Sequence, residues 1–108
     1  MLGMNDTDTS TEVNPDWKTV IDNVIDMCYN NGIRFIGYTV PNTPTVINKW
    51  KNDYLKSLNV EYIDMAKILG AEDIGSTWYP GLLGDDNTHP SSDGAKLIAS
   101  IMIGVLNV

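Results

Sequence analysis

The stretch IRFIGYTV, residues 33–40, constrains the fold of this chain more than any other feature. It is rich in β-branched and aromatic residues and is halted by Pro41, the pattern of a strand with most of both faces covered. Helical signals stand on both sides of it. Upstream, the polar loop at residues 7–14 ends in Asn14-Pro15, a cap-and-start pair. Trp17, Val20, Ile21, Val24, Ile25 and Cys28 then recur at the i, i+3, i+4, i+7 spacing of a buried helix face, and Asn31-Gly32 supplies the stop. Downstream, Thr43-Pro44 repeats the cap-and-start signal ahead of Val46, Ile47, Trp50, Tyr54 and Leu55 at helical spacing. VEYIDM, residues 60–65, reads as a second strand. Residues 66–84, which include Trp78-Tyr79-Pro80-Gly81, read as a long loop with one helical turn near Ala66 to Leu69. From Ser91 onward a helix follows, with Leu97, Ile98, Ile101, Met102 and Val105 on its buried stripe.

With Met1-Leu2 read as a strand cut short, the order is strand end, helix, strand, helix, strand, loop, helix. That alternation implies a parallel sheet flanked by helices, which places its chemistry at the carboxyl ends of the strands. Gly3 to Asp6 and the loop before His89 both fall at that edge. At 108 residues and 43% hydrophobic content the chain is one domain with a real core. A formal charge of −7 with seven scattered basic residues argues against nucleic acid and anionic membrane partners. No run reaches the roughly 18 to 20 apolar residues of a membrane span, and the first residues lack the regions of a signal peptide. The true amino terminus is left open, and with it the compartment. The single cysteine, Cys28, excludes an internal disulfide and a Cys-rich zinc site.

The chemistry concentrates in GDDNTHP, residues 84–90, which holds the chain's one histidine. An aspartate three residues before a histidine can turn back so that its carboxylate accepts the Nδ1 proton, leaving Nε2 free as a general base. Asp86 and His89 have that spacing. Two other readings stay open: a surface histidine ahead of a helix, and a metal site built from Asp85, Asp86 and His89 that lacks a further ligand. Gly3-Met4-Asn5-Asp6 supplies a second half, since an asparagine amide at a strand end can donate to a developing oxyanion while the glycine gives the backbone room. Asp6 would brace that loop.

Taken together, Gly-x-Asn-Asp, Asp-x-x-His-Pro and the helix that follows resemble the carboxyl-terminal part of the SGNH hydrolases, the GDSL esterase and lipase family. The resemblance runs from Gly3 to the end of the chain and corresponds to about the second half of a family domain. It implies a three-layer α/β/α parallel sheet of the flavodoxin-like type, incomplete here, with residues 1–108 as one portion of a single domain. It also implies that Asn5 lines the oxyanion hole and that Asp86 and His89 are two members of a Ser-His-Asp catalytic triad, with no metal or other cofactor. The family's Gly-Asp-Ser nucleophile block is missing. None of Ser10, Ser57, Ser76, Ser91, Ser92 or Ser100 has that context, and Ser91 and Ser92 suit helix capping beside Pro90.

The expectations are therefore those of part of a serine esterase acting on a small acyl ester, with acetylated carbohydrate favoured over long-chain lipid. Trp78 and Tyr79 are a possible aromatic rim for a sugar ring, or else anchors of the loop to the core. Alone the chain should be catalytically incomplete, because a base without a nucleophile in reach cannot complete a triad. Without the central strand it should be marginal, associating with itself or with a separate amino-terminal segment. A non-catalytic binding or assembly module on the same scaffold and a metal-assisted hydrolase are the alternatives.

Overall fold

The structure, a computed structural model, describes residues 7–107. Met1-Leu2, Gly3, Asn5 and Asp6 lie outside the described residues. Within them run α1 (Pro15–Asn30), β1 (Gly37–Tyr38), α2 (Lys49–Ser57), β2 (Tyr62–Ile63), α3 (Met65–Ile68) and α4 (Ser92–Leu106). The described part is thus a mixed fold of four helices and one two-stranded parallel sheet, in the register Gly37 to Tyr62 and Tyr38 to Ile63.

The first helix starts and stops where its sequence signals lie. The Asn14 side chain accepts from the amides of Asp16 and Trp17 at 2.9 and 3.2 Å, and Pro15 occupies the first turn, where no amide is needed. Gly32 takes a left-handed φ of 64° and Ile33 donates back to the Cys28 carbonyl. Only part of the apolar stripe is covered: Trp17 and Ile21 are buried, Ile25 and Cys28 are half-buried, and Val20 and Val24 are exposed.

Two expected elements are shorter than their sequence patterns. The strand over residues 33–40 pairs only at Gly37–Tyr38 because its partner is short. Asn59, with φ 55°, turns the chain just before residue 60, and Met65 already opens α3. Past the bond from Thr39 N to Ile63 O at 3.0 Å, side chains of α2 and of the β2–α3 junction take over the pairing. The Asn52 amide accepts from Val40 N at 2.6 Å and donates to Val40 O at 2.7 Å, serving both of its backbone groups. Thr39 Oγ1 donates to Asp64 and accepts from Ala66 N, both at 2.9 Å.

The second helix begins at Lys49, not at Pro44. The Thr43 hydroxyl accepts from Thr45 N and Val46 N at 3.1 and 3.0 Å while Thr43 N donates to Val46 O, so the Thr-Pro signal closes a hydroxyl-capped turn instead. Residues 41–48 are thereby an ordered loop. Asn42 donates to the Ala71 and Glu72 carbonyls and accepts from Asn48 N, and Asn48 accepts from Lys51 Nζ at 2.7 Å, all on buried side chains.

The core is in two parts. Trp17, Ile21 and Leu55 join α1 and α2, with Phe35 and Tyr54 beside them. Met65, Leu69, Ala71, Trp78 and Ile98 join α3, the long loop and α4, with Tyr38 and Ile63 beside them. Adjacent strand residues serve different parts, as a period of two requires: Gly37 faces Leu55, whose Cδ1 would stand 3.0 Å from a Cβ there, and Tyr38 faces the other cluster.

Candidate active site

The residues before α4 fold into a closed loop. Leu83 and Pro90 form an antiparallel bridge, Ser91 N donates to Leu82 O at 2.8 Å, and Gly84 N donates to His89 O at the same distance. Inside that frame, Asn87 N returns to Gly84 O at 3.1 Å, and Asn87 itself takes φ 58°, a left-handed conformation that asparagine tolerates better than most residues. Gly84 is required by space: a Cβ there would stand 2.9 Å from the His89 carbonyl oxygen.

The turn brings Asp86 onto His89. Oδ1 of Asp86 accepts from the amides of Thr88 and His89 at 3.0 and 2.9 Å, and Oδ2 stands 2.6 Å from His89 Nδ1. With the carboxylate accepting, Nδ1 carries the proton and Nε2 presents its lone pair outward. The His89 amide, then the imidazole and the Thr88 amide, hold the Asp86 carboxyl well below the usual carboxylate range. Both side chains are open to solvent, His89 at 73% and Asp86 at 53%.

Among the described residues no hydroxyl or thiol lies within hydrogen-bond reach of His89 Nε2. Four of the six serines are occupied locally: Ser57, Ser76 and Ser100 donate to carbonyls three or four residues back, and Ser91 caps α4 by accepting from Gly94 N at 3.0 Å while donating to Gly81 O. Ser10 is exposed in the loop before α1. Ser92 opens α4 and is exposed. Nor do Asp85, Asp86 and His89 form a metal cage, since no three His, Cys, Asp or Glu side chains among the described residues are grouped to hold an ion. No helix among those residues is long and apolar enough to cross a membrane.

Trp78 and Tyr79 part company. Trp78 is buried with φ 64°, and its indole N–H donates to Asn42 O at 2.7 Å, so it anchors the long loop to the 41–48 loop. Tyr79 is exposed and lies over Gly70. Of the Gly-x-Asn-Asp block nothing is described, but the chain just after it is held beside the same loop. Asp8 N donates to Ile47 O, and the Asp8 carboxylate accepts from Lys51 N and Asn14 N, each at 2.9 Å.

Sequence reasoning did not single out Thr45, Gly84, Thr88 or Gly94. Thr45 Oγ1 meets Thr88 Oγ1 at 2.7 Å and the Asn87 carbonyl at 3.3 Å, joining the two loops across more than forty residues of sequence. No local pattern announces such a pair. Gly94 had a readable signal, an isolated glycine in the first turn of an amphipathic helix, where alanine is the better helix former. Comparison with known protein families, curated proteins and solved structures finds no match to this chain, and the geometry around His89 carries the functional reading.

Proposed function

We propose that this chain is the carboxyl-terminal portion of an SGNH-type serine esterase, built on a three-layer flavodoxin-like α/β/α sheet whose remaining strands come from a segment bearing Gly-Asp-Ser. The observation that supports this most directly is the 2.6 Å approach of Asp86 Oδ2 to His89 Nδ1, with Nε2 unpartnered among the described residues. In that reaction the serine Oγ attacks the acyl carbon and its proton passes to Nε2, while Asp86 keeps the ring in the productive tautomer and stabilises the imidazolium. The imidazolium then returns the proton to the departing alcohol, and water releases the acyl group by the same route in reverse. Asn5 is assigned to the oxyanion and Gly3 and Asp6 to its support, on the family resemblance. The substrate is a small acyl ester, and the exposed Tyr79 ring is a surface on which an acetylated sugar can stack.

The test is p-nitrophenyl acetate hydrolysis by the chain with and without an added Gly-Asp-Ser segment, beside His89→Ala. Hydrolysis that needs both the segment and His89 supports the proposal; equal rates in the variant overturn it. The second reading, a binding or assembly module, is favoured by the absence of a described nucleophile near Nε2. It predicts undiminished partner binding by His89→Ala.

A further inference from the structure

We infer that Thr45 is a positioning residue for His89, an inference that rests on the esterase reading for its purpose but not for its geometry. The loop at residues 84–89 keeps its shape by internal bonds: Gly84 N to His89 O, Asn87 N to Gly84 O, and three interactions of the Asp86 carboxylate with residues 88 and 89. Those bonds fix the Asp86–His89 pair internally. The Leu83–Pro90 bridge and the Ser91 N to Leu82 O bond place the base of the loop against the core, but none of these bonds places its tip, Asn87 and Thr88, against the 41–48 loop. Among the described residues, the hydrogen bonds that leave this loop all end on one atom, Thr45 Oγ1, which reaches Thr88 Oγ1 at 2.7 Å and Asn87 O at 3.3 Å.

The other side of the tether is firm. Thr45 lies within the hydroxyl-capped turn of Thr43, which is buried and meets Thr45 Oγ1 at 3.2 Å. Asn42, one residue earlier, is bonded to Ala71 O, Glu72 O and Asn48 N and receives the Trp78 indole on its carbonyl. With one proton per hydroxyl, two arrangements are open: Thr43 donates to Thr45, Thr45 to Thr88, and Thr88 to Asp86 O at 3.3 Å, or else Thr88 donates to Thr45 and Thr45 to Asn87 O. Either one ties Thr45 to the loop, and the first runs on to Asp86, the residue that orients His89. A general base must stand within hydrogen-bond reach of the proton it takes, so a loop of correct shape but free position would present Nε2 to a nucleophile only part of the time.

The experiment uses the 108-residue chain itself. Its single histidine gives one imidazole Cε1–H signal, so the ring's motion is read without assignment ambiguity, alongside 15N relaxation of the Asn87, Thr88 and His89 amides. Thr45→Val is expected to take these amides from the rigid range, an order parameter of about 0.85, toward the flexible range below about 0.6, and to increase ring motion. Thr45→Ser should restore both. Thr88→Val cuts the same bond from the other side and should loosen the loop similarly, and the double variant should be no looser than the looser single. Wild-type order in Thr45→Val, failure of serine to rescue, or additive loosening in the double variant would each overturn the inference. None of these outcomes depends on ester hydrolysis, so loss of the esterase reading would leave the tether standing, and loss of the tether would leave that reading to its own assay.

Discussion

At the junction between the His89 loop and α4 two backbone segments approach so closely that one substitution is decisive. A Cβ on Gly94 would stand 2.2 Å from the Leu82 carbonyl oxygen and 3.1 Å from its carbon, both backbone atoms that cannot swing aside. Relief needs the first turn of α4 to withdraw by about 1 Å, the gap to an ordinary carbon–oxygen contact. That movement draws on two bonds at once, Ser91 N to Leu82 O at 2.8 Å and the Ser91 cap on Gly94 N at 3.0 Å. Overpacking costs about 1 to 3 kcal/mol, the backbone bond about 1 and the cap about 1, offset by about 1 from the better helix propensity of alanine. The net for Gly94→Ala is a loss of roughly 2 to 4 kcal/mol, a large fraction of the stability of a domain this size.

The control sits in the same helix. Gly104 has nothing within 4 Å of a built Cβ, so Gly104→Ala should gain about 0.5 to 1 kcal/mol from propensity alone. Urea unfolding followed by far-UV circular dichroism reads both. With a slope of about 1 to 2 kcal/mol per molar, Gly94→Ala should lower the midpoint by at least about 1 M and Gly104→Ala should raise it. A Gly94→Ala variant as stable as wild type would refute the close approach of α4 to Leu82, and with it the frame that presents His89.

Four further outcomes follow from the same geometry. Trp78→Phe keeps an aromatic ring but removes the donor to Asn42 O and part of the buried indole's volume, and should cost at least about 1 to 3 kcal/mol by urea unfolding. Asn87→Gly should be nearly neutral, whereas Asn87→Val, forced to a φ of 58°, should cost about 1 to 2 kcal/mol and broaden the amide signals of residues 84–89. The Asp86 carboxyl titrates lower folded than its ordinary 3.8, so its contribution is complete above that value and is lost as pH falls through the depressed folded pKa. The gap in urea midpoint between wild type and Asp86→Ala should therefore hold from neutral pH down to about 4 and close below it; a gap that widens in acid would reverse the assignment. Val20, Val24 and Met27 of α1 and Ile33 after it leave apolar side chains exposed, so the melting temperature should rise with protein concentration; a sharp, concentration-independent melt of a monomer would contradict this.

The elements legible in the sequence are those whose signals act locally. Asn14-Pro15 and Asn31-Gly32 bound α1 because a cap and a left-handed stop are chosen by neighbours a few residues away. The Asp86–His89 spacing belongs to the same class, since a three-residue turn carries its own hydrogen bonds. Thr43-Pro44 misleads for a physical reason: a threonine hydroxyl that accepts amides two and three residues ahead does so in a hydroxyl-capped turn as well as at a helix start. Only the buried partners of Asn42 and Asn48 choose between them. The extent of β1 was illegible because strand length depends on the partner, and β2 is cut short by Asn59 and Met65. Trp78 and Tyr79 are adjacent aromatics with opposite fates, decided by an indole N–H that reaches a carbonyl thirty-six residues away.

An exposed Asp-His pair is a weak base site by itself, and the reason bears on what this chain can contribute. With His89 at 73% exposure, water screens the attraction between the carboxylate and an imidazolium, so the pair gains little from charge alone. What the loop supplies is direction: one tautomer, one face of the ring, and a location set against the 41–48 loop. Direction becomes rate only when a nucleophile is held in line with Nε2, where fixed geometry is equivalent to effective concentrations of about 10⁵ to 10⁸ M. Closing the site would also remove the water that now screens the pair and strengthen every charge interaction within it. In the proposed esterase the missing segment would therefore act twice, bringing the serine and drying the dyad. Those effects separate experimentally: a Gly-Asp-Ala version of the added segment should protect the Nδ1 proton of His89 from solvent exchange while leaving hydrolysis at background.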